Sequence, residues 1–246
     1  MGELIAVVSG KGGTGKTSVT AGVSSAMASA GKRVLCIDCD AGLRNLDISL
    51  GLAESCPLSF LDVMDGGYPI SCAAPHPRFP GLRFLTAPVN RLAQDISLER
   101  FGQFLAQARQ EYEYVFLDAP AGVDAGFLLA ATYADRCIVV TGSDPAALRD
   151  AAATGQKLEL LGKRNVRLVV NRVRTKLYKA MGTTVDDLMD ATGLPLLGIV
   201  PEDSNVILAA AGNCPLLRYK PRTPAAKACE RIAKRIQGLP EPIPFR

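Results

Sequence analysis

The residues best equipped for chemistry lie close together near the start of the chain, in Ser9–Ser18, SGKGGTGKTS. Read as G-x-x-x-x-G-K-[ST], they run Gly10, Lys11, Gly12, Gly13, Thr14, Gly15, Lys16, Thr17, with Ser18 following. Glycines let backbone N–H groups converge on a phosphate with no Cβ in the way. Lys16 adds a point charge, and the Thr17 hydroxyl can hold Mg²⁺. The chemistry indicated is binding of nucleotide phosphates. Three aspartates extend it. Asp38 and Asp40 stand two apart in IDCDAGLRNLD, on one side if the strand persists, and Asp118 ends an apolar run in FLDAPAGVD. Singly, each reads equally well as a helix cap or turn residue. Together with a phosphate loop they read as Mg²⁺ ligands (Asp38, Asp118) and a residue that positions the attacking water (Asp40, at the opening of the AGLRN turn).

These groups need a scaffold that gathers them. Short continuous apolar runs occur at Leu4–Val8, Arg33–Ile37, Leu82–Leu85, Tyr114–Leu117, Cys137–Val140, Val166–Val170 and Leu196–Val200. Unbroken runs are the mark of strands buried on both faces of a parallel sheet. Between them the pattern predicts helices near Thr17–Ala30, Leu98–Gln110, Gly122–Ala134, Ala146–Leu161, Thr184–Ala191 and Asn205–Ala211, with a last one at about Pro224–Gln237. The expectation is an α/β fold spanning residues 1–246 as one P-loop domain, a doubly wound, mostly parallel sheet flanked by helices. In such sheets ligands gather at the C-terminal ends of the strands, where the phosphate loop and all three aspartates fall. The least regular part is Gly51–Pro80, read as a short helix and a surface loop.

Composition narrows the class. The chain is 48% hydrophobic and 21% charged, ordinary for a soluble protein, and no apolar run reaches the ~18–20 residues of a spanning helix. The start runs directly into a strand instead of a signal peptide. The 7 cysteines are scattered, which suits a reducing cytoplasm. Cys36 and Cys39 form a C-x-x-C within a strand, where residues three apart point to opposite faces, so buried structural thiols are expected. His76, the 1 histidine, excludes multi-histidine metal sites and is expected in a surface loop of PHPRFP. The net charge of +4 is uneven: residues 1–162 carry 13 basic and 17 acidic side chains, residues 163–246 carry 15 and 7. The basic third suits either an anionic partner or ordinary solvated helix faces.

Lys11, a second lysine directly after the first glycine, makes KGGTGKT a deviant Walker A signature. With IDCDAGLRNLD, FLDAPAGVD and IVPEDSNV, the sequence resembles the MinD/ParA-type ATPases from Leu4 to about Gln237. The LRNLD, PAG and PED elements fit the branch that determines the division septum better than the partition ATPases. The resemblance implies a Mg²⁺-dependent ATPase, with ATP and ADP as its nucleotides. Lys11 would reach across an ATP-dependent homodimer to the partner's phosphates, while Lys16 serves its own nucleotide. Thr17 would ligate Mg²⁺ and Ser18 would bond an α-phosphate oxygen. Asp38 to Asn45 would form switch I and Asp118 to Gly122 switch II. Asn171, with Arg172 beside it, would contact the adenine, and Pro201, Glu202 and Asp203 would close over the base. Lys11, Lys16 and Asp40 are the expected catalytic residues.

The implied function is an ATP-dependent dimerisation switch that recruits a MinC-like division inhibitor and is reset by hydrolysis under a MinE-like activator. The alternatives are a DNA-binding partition ATPase, a positioning factor for flagella or other polar structures, and an iron–sulfur electron carrier, for which the cysteines supply no convincing set. Nucleic acid is not an expected partner. The expected location is cytoplasmic, with the inner face of the cell membrane as a second candidate. One departure bears on that. The family usually ends in a basic amphipathic helix, whereas LPEPIPFR is too proline-rich for one, and the preceding AAKACERIAKRIQG is expected to pack on the domain.

Overall fold

The structure, a computed structural model, describes residues 1–41, 44–55, 57–89, 91–182 and 184–243. Gly42 and Leu43 of the expected switch I, Cys56, and the last residues of the proline-rich tail lie outside the described residues.

The strands are β1 (Glu3–Val8), β2 (Val34–Asp38), β3 (Ala74–Pro75), β4 (Leu82–Leu85), β5 (Tyr114–Asp118), β6 (Arg136–Thr141), β7 (Val166–Val173) and β8 (Leu196–Pro201). The helices are α1 (Lys16–Ser29), α2 (Leu46–Leu50), α3 (Phe60–Met64), α4 (Leu98–Glu111), α5 (Ala125–Ala131), α6 (Pro145–Leu160), α7 (Thr175–Met181), α8 (Val185–Thr192), α9 (Ser204–Ala211), α10 (Leu216–Tyr219) and α11 (Pro224–Ile236). One sheet of 8 strands runs in the order β3-β4-β2-β5-β1-β6-β7-β8, parallel throughout except for the antiparallel β3–β4 pair. All seven expected strands are present. The two-residue β3 lies in the stretch read as irregular.

The unbroken apolar runs have the expected cause. In β1, Leu4, Ala6 and Val8 point into one core with α4, α5 and α6, while Ile5 and Val7 point into another with α1 and α11. Alternate residues therefore serve opposite faces, and both faces are dry. Cys36 and Cys39 fall in opposite cores, fully buried, and burial pushes the Cys36 thiol up to about 12. The apolar stripe of α11, with Ile232 and Ile236, is buried on the sheet. Both sheet edges are guarded. β3 is short and contains Pro75, and at the other edge the Arg235 guanidinium donates to the Leu197 carbonyl of β8 (2.8 Å).

His76 corrects the sequence reading. It is buried, 3% exposed, not on a surface loop. Its Nδ1 accepts from the backbone N–H groups of Arg78 (3.0 Å) and Phe79 (3.3 Å), so Nε2 carries the proton and donates to Leu50 O (2.7 Å), at the end of α2. The imidazole thus clamps the proline-rich loop to α2, and burial lowers its pKa.

Candidate nucleotide site

The phosphate loop joins β1 to α1 with Gly13 (φ 79°) and Gly15 (φ 83°) in the left-handed region. Gly15 is the N-cap of α1, so Lys16 opens the helix and the free N–H groups of its first turn face the loop. Gly15 is also required sterically, because a Cβ there would lie 2.2 Å from Asn171 Nδ2.

On the floor of the site Lys16 Nζ lies 3.1 Å from Asp118 Oδ1, with both side chains buried. The Thr17 hydroxyl donates to Asp118 Oδ2 (2.8 Å) and the Thr20 hydroxyl to Oδ1 (2.7 Å). Asp118 therefore sits at the centre of a cation and two hydroxyls. Thr20 escaped the sequence reading. The signal was available, since Thr20 lies three residues after Thr17 and four after Lys16 on α1, within reach of both.

Asp38 pairs in register with Asp118 on the adjacent strand. β2 stops at Asp38, so the condition placing Asp40 on the same strand face is not met. The chain turns instead. Asp38 Oδ1 accepts from Asp40 N (2.9 Å), and Oδ2 accepts from Asn45 N and Leu46 N (each 3.2 Å) at the start of α2. Burial, and then the neighbouring Asp118 charge, push the Asp38 carboxyl up to about 7 despite these bonds. Asp40 stands half-buried at the mouth of the site.

Three oxygen donors, the Thr17 hydroxyl and the Asp38 and Asp118 carboxylates, converge here. All are hard ligands, and two buried carboxylates in register, one of them driven towards neutrality, are what a divalent cation would relieve. The residues fit Mg²⁺. Among the described residues no cluster of three or more His, Cys, Asp or Glu could hold a metal, so an ion here would take the rest of its coordination from phosphate and water.

Lys11 is placed apart from Lys16. Its ammonium reaches Asp144 Oδ1 (3.5 Å) on the rim, and the side chain is 41% exposed. Asp144 accepts from Ala147 N and caps α6, and that bond, ahead of the Lys11 charge, holds its carboxyl low.

Two cavities flank the loop. One, of about 440 Å³, is lined by Ser18, Asn171, Arg172, Pro201, Glu202 and Asp203 with apolar walls from Val19, Val200, Val206 and Ile207. All five residues expected near the base thus meet there. The other, about 500 Å³, lies outside the loop among Lys11, Asp144, Arg172, Arg174 and Tyr178. The strand expected to end at Asn171 continues to Val173 through a register slip against β8. Asn171 donates its amide to Thr14 O (2.8 Å), tying β7 to the phosphate loop, and Arg172 follows with φ 56°. Glu202 pairs with Arg174 (2.7 Å); that bond, and more weakly the Arg172 charge, keep its carboxyl low. Asp203 caps α9 through Asn205 N (3.0 Å) and also accepts from Ala225 N (3.3 Å) at the start of α11.

Comparison with known proteins agrees with this geometry. Residues 5–216 match the CobQ/CobB/MinD/ParA nucleotide binding domain family. The chain is 38% identical over 243 residues to a putative septum site-determining protein MinD of Nephroselmis olivacea, covering 98% of this chain and 89% of that one. Its backbone superposes on a MinC:MinD cell division protein complex of Aquifex aeolicus with a TM-score of 0.89, at 33% identity and 98% of both chains. It superposes on the septum site-determining protein MinD of Pyrococcus horikoshii, complexed with Mg-ADP, with a TM-score of 0.82, at 27% identity and 96% of both chains. A deviant phosphate loop over a buried Lys16–Asp118 pair, within this parallel sheet and at this level of identity, places the chain in the CobQ/CobB/MinD/ParA family of nucleotide-binding proteins, in its septum-site-determining MinD branch.

Proposed function

We propose that this chain is an ATP-driven dimerisation switch in the placement of the division septum. It binds ATP with Mg²⁺, closes face to face with a second copy, recruits a MinC-like division inhibitor in that state, and is reset by hydrolysis under a MinE-like activator. The observation that carries the reading is the separation of the two lysines. Lys16 lies buried on the floor of its own site, and Lys11 stands on the rim in an exposed pair with Asp144. Such a pair is weak, so the Lys11 ammonium is free to trade Asp144 for a partner's phosphate.

Each residue has work it can do within this frame. Phosphate competes with Asp118 for Lys16, and the N–H groups at the start of α1 receive phosphate oxygens. Thr17, Asp38 and Asp118 would hold Mg²⁺, which when bound would neutralise charge developing on the phosphoryl group. Asp40 orients the attacking water. Asn171 and the Pro201–Asp203 turn hold the adenine in the 440 Å³ cavity. Exposed apolar side chains, Val123 in the loop after β5, Leu177 on α7 and Ile207 on α9, suit burial against another copy.

The test is sedimentation with ATP and with ADP. Lys11→Ala is expected to bind ATP as a monomer and to form no ATP-induced dimer; a normal dimer would refute the cross-subunit role. Asp40→Ala is expected to accumulate as the dimer with turnover lost, and unchanged turnover would remove it from the mechanism. Among the described residues no helix is long and apolar enough to cross a membrane, so membrane contact, where it occurs, is peripheral in this reading.

A further inference from the structure

Asn213, in the turn after α9, takes no part in the nucleotide reading, yet it grips the helix that holds Asp38. That helix, α2, is five residues long, about 7.5 Å, and its two ends do different things. At its start the N–H groups of Asn45 and Leu46 both bond Asp38 Oδ2 (each 3.2 Å). At its finish Gly51 turns the chain with φ 70°, and just beyond it the Ala53 N–H donates to Asn213 Oδ1 (3.2 Å). The two turns also meet backbone to backbone, since a Cβ on Gly51 would lie 2.8 Å from Asn213 O and 3.1 Å from Cys214 Cα.

The Asn213 amide is carried on a fixed support. Its backbone is left-handed (φ 46°), a region that asparagine enters more readily than most side chains. The N–H groups of Asn213 and Cys214 return to Ala210 O (3.1 Å) and Ala209 O (3.0 Å) of α9. The far end of α9 is fastened in turn, because its cap Asp203 also accepts from Ala225 N of α11. Further grip on α2 is buried: Leu46 and Leu50 are inaccessible, and His76 Nε2 donates to Leu50 O. Packing between α2 and α9 is incomplete, with a void of about 20 Å³ among Ser49, Ala209, Ala210 and Cys214. The turn contact therefore sets how α2 leans on α9. Without it α2 stays anchored through its leucines but can pivot, and a pivot moves the two N–H groups that orient Asp38.

We propose that Asn213 is a positioning residue: through the Ala53 N–H it fixes the set of α2, and through α2 the aim of the Asp38 carboxylate at Mg²⁺. This rests on the placement of Mg²⁺ at Thr17, Asp38 and Asp118.

Asn213→Gly suits the left-handed turn and removes the acceptor, whereas Asn213→Asp keeps an acceptor and tolerates the turn. ADP affinity is measured by calorimetry with and without Mg²⁺, and amide hydrogen exchange is measured on the free protein. The glycine variant is expected to bind ADP as the wild type does without Mg²⁺. Its gain in affinity on adding Mg²⁺ is expected to fall roughly three- to tenfold, the effect of one hydrogen bond, and the amides of Asn45 and Leu46 to exchange faster. The aspartate variant is expected to match the wild type in all three. A glycine variant with the full Mg²⁺ gain, or with unchanged exchange at Asn45 and Leu46, overturns the proposal. So does an equal loss of ADP affinity with and without Mg²⁺, the mark of a general weakening, and so does an aspartate variant that behaves like the glycine one. Asp38→Asn tests the underlying placement separately. It is expected to forfeit most of the Mg²⁺ gain, and an undiminished gain defeats the placement of the ion whatever Asn213 does.

Discussion

Thr20 offers the sharpest test of how the floor of the site is built. Its hydroxyl has one proton and two acceptors in reach, Asp118 Oδ1 at 2.7 Å and Lys16 O at 3.1 Å. The shorter, charge-assisted contact takes it. Thr20 is 0% exposed and Asp118 1%, so water cannot replace the bond. Thr20→Val keeps the shape and removes the donor. Lys16 and Thr17 still contact Asp118, so the loss is one hydrogen bond to a charged acceptor, about 2 kcal/mol. For a chain of this size that corresponds to a fall of about 4–8 °C in melting temperature. Thermal unfolding followed by circular dichroism reads it directly, with Thr20→Ser as the control that restores the hydroxyl. The double-mutant cycle sharpens the attribution. In an Asp118→Asn background the Thr20→Val substitution is expected to cost about 1 kcal/mol less or better, because the charged acceptor is already gone. If Thr20→Val melts with the wild type, or if its effect is the same with and without the Asp118 carboxylate, the hydroxyl does not hold Asp118 and the reasoning fails.

Gly15→Ala is expected to abolish ADP binding and to destabilise the chain by about 1–3 kcal/mol, since the new Cβ meets both a positive φ and Asn171 Nδ2; a normal calorimetric ADP affinity would show that the loop has room to give. Lys16→Ala is expected to lose nucleotide binding and also to melt lower, by about 6–20 °C for the roughly 3–5 kcal/mol of orphaning a buried ion-pair partner; a variant that melts like the wild type would mean that the Lys16–Asp118 contact does not support the fold. His76 has a lowered folded-state pKa, so below its ordinary value of about 6.5 the unfolded chain takes up a proton that the folded one refuses, and stability falls as pH falls from there. Melting temperature against pH is therefore expected to drop less between pH 7 and 5 in His76→Gln than in the wild type; parallel curves would refute the assignment. Asp38, with its raised pKa, acts in the opposite direction over the same range, so the comparison between variants, not the wild-type curve, isolates the histidine.

The strands were legible because each is buried on both faces and so writes itself as an unbroken apolar run; Leu4–Val8 serves two cores with no polar interruption. The phosphate loop and Asp118 were legible because their spacing is imposed by the ligand. The short helices α2, α7 and α10 were not, since four to seven residues complete too few turns to show a period. The turn at Asp38 was hidden for a related reason. What ends β2 there is a set of backbone N–H groups from Asp40, Asn45 and Leu46 closing on one carboxylate, and a backbone donor leaves no mark in sequence. His76 misled because prolines on either side read as exposure, while the ring's three backbone bonds belong to tertiary structure. Part of the charge of the basic final third serves local tasks: Arg174 meets Glu202, Arg231 and Lys234 meet Glu241, and Arg235 donates to three backbone carbonyls.

The Arg235 guanidinium on the Leu197 carbonyl has a consequence for how copies of this chain can meet. A hydrogen-bonding position of β8 is already taken, and a two-residue strand containing Pro75 lies at the far side, so both margins of the sheet are interrupted as templates for another strand. Growth of the sheet from molecule to molecule, the route to open-ended fibres, is thereby disfavoured. In the proposed switch, association falls instead to the end of the sheet that carries the phosphate loop, and a two-fold contact there closes after two copies.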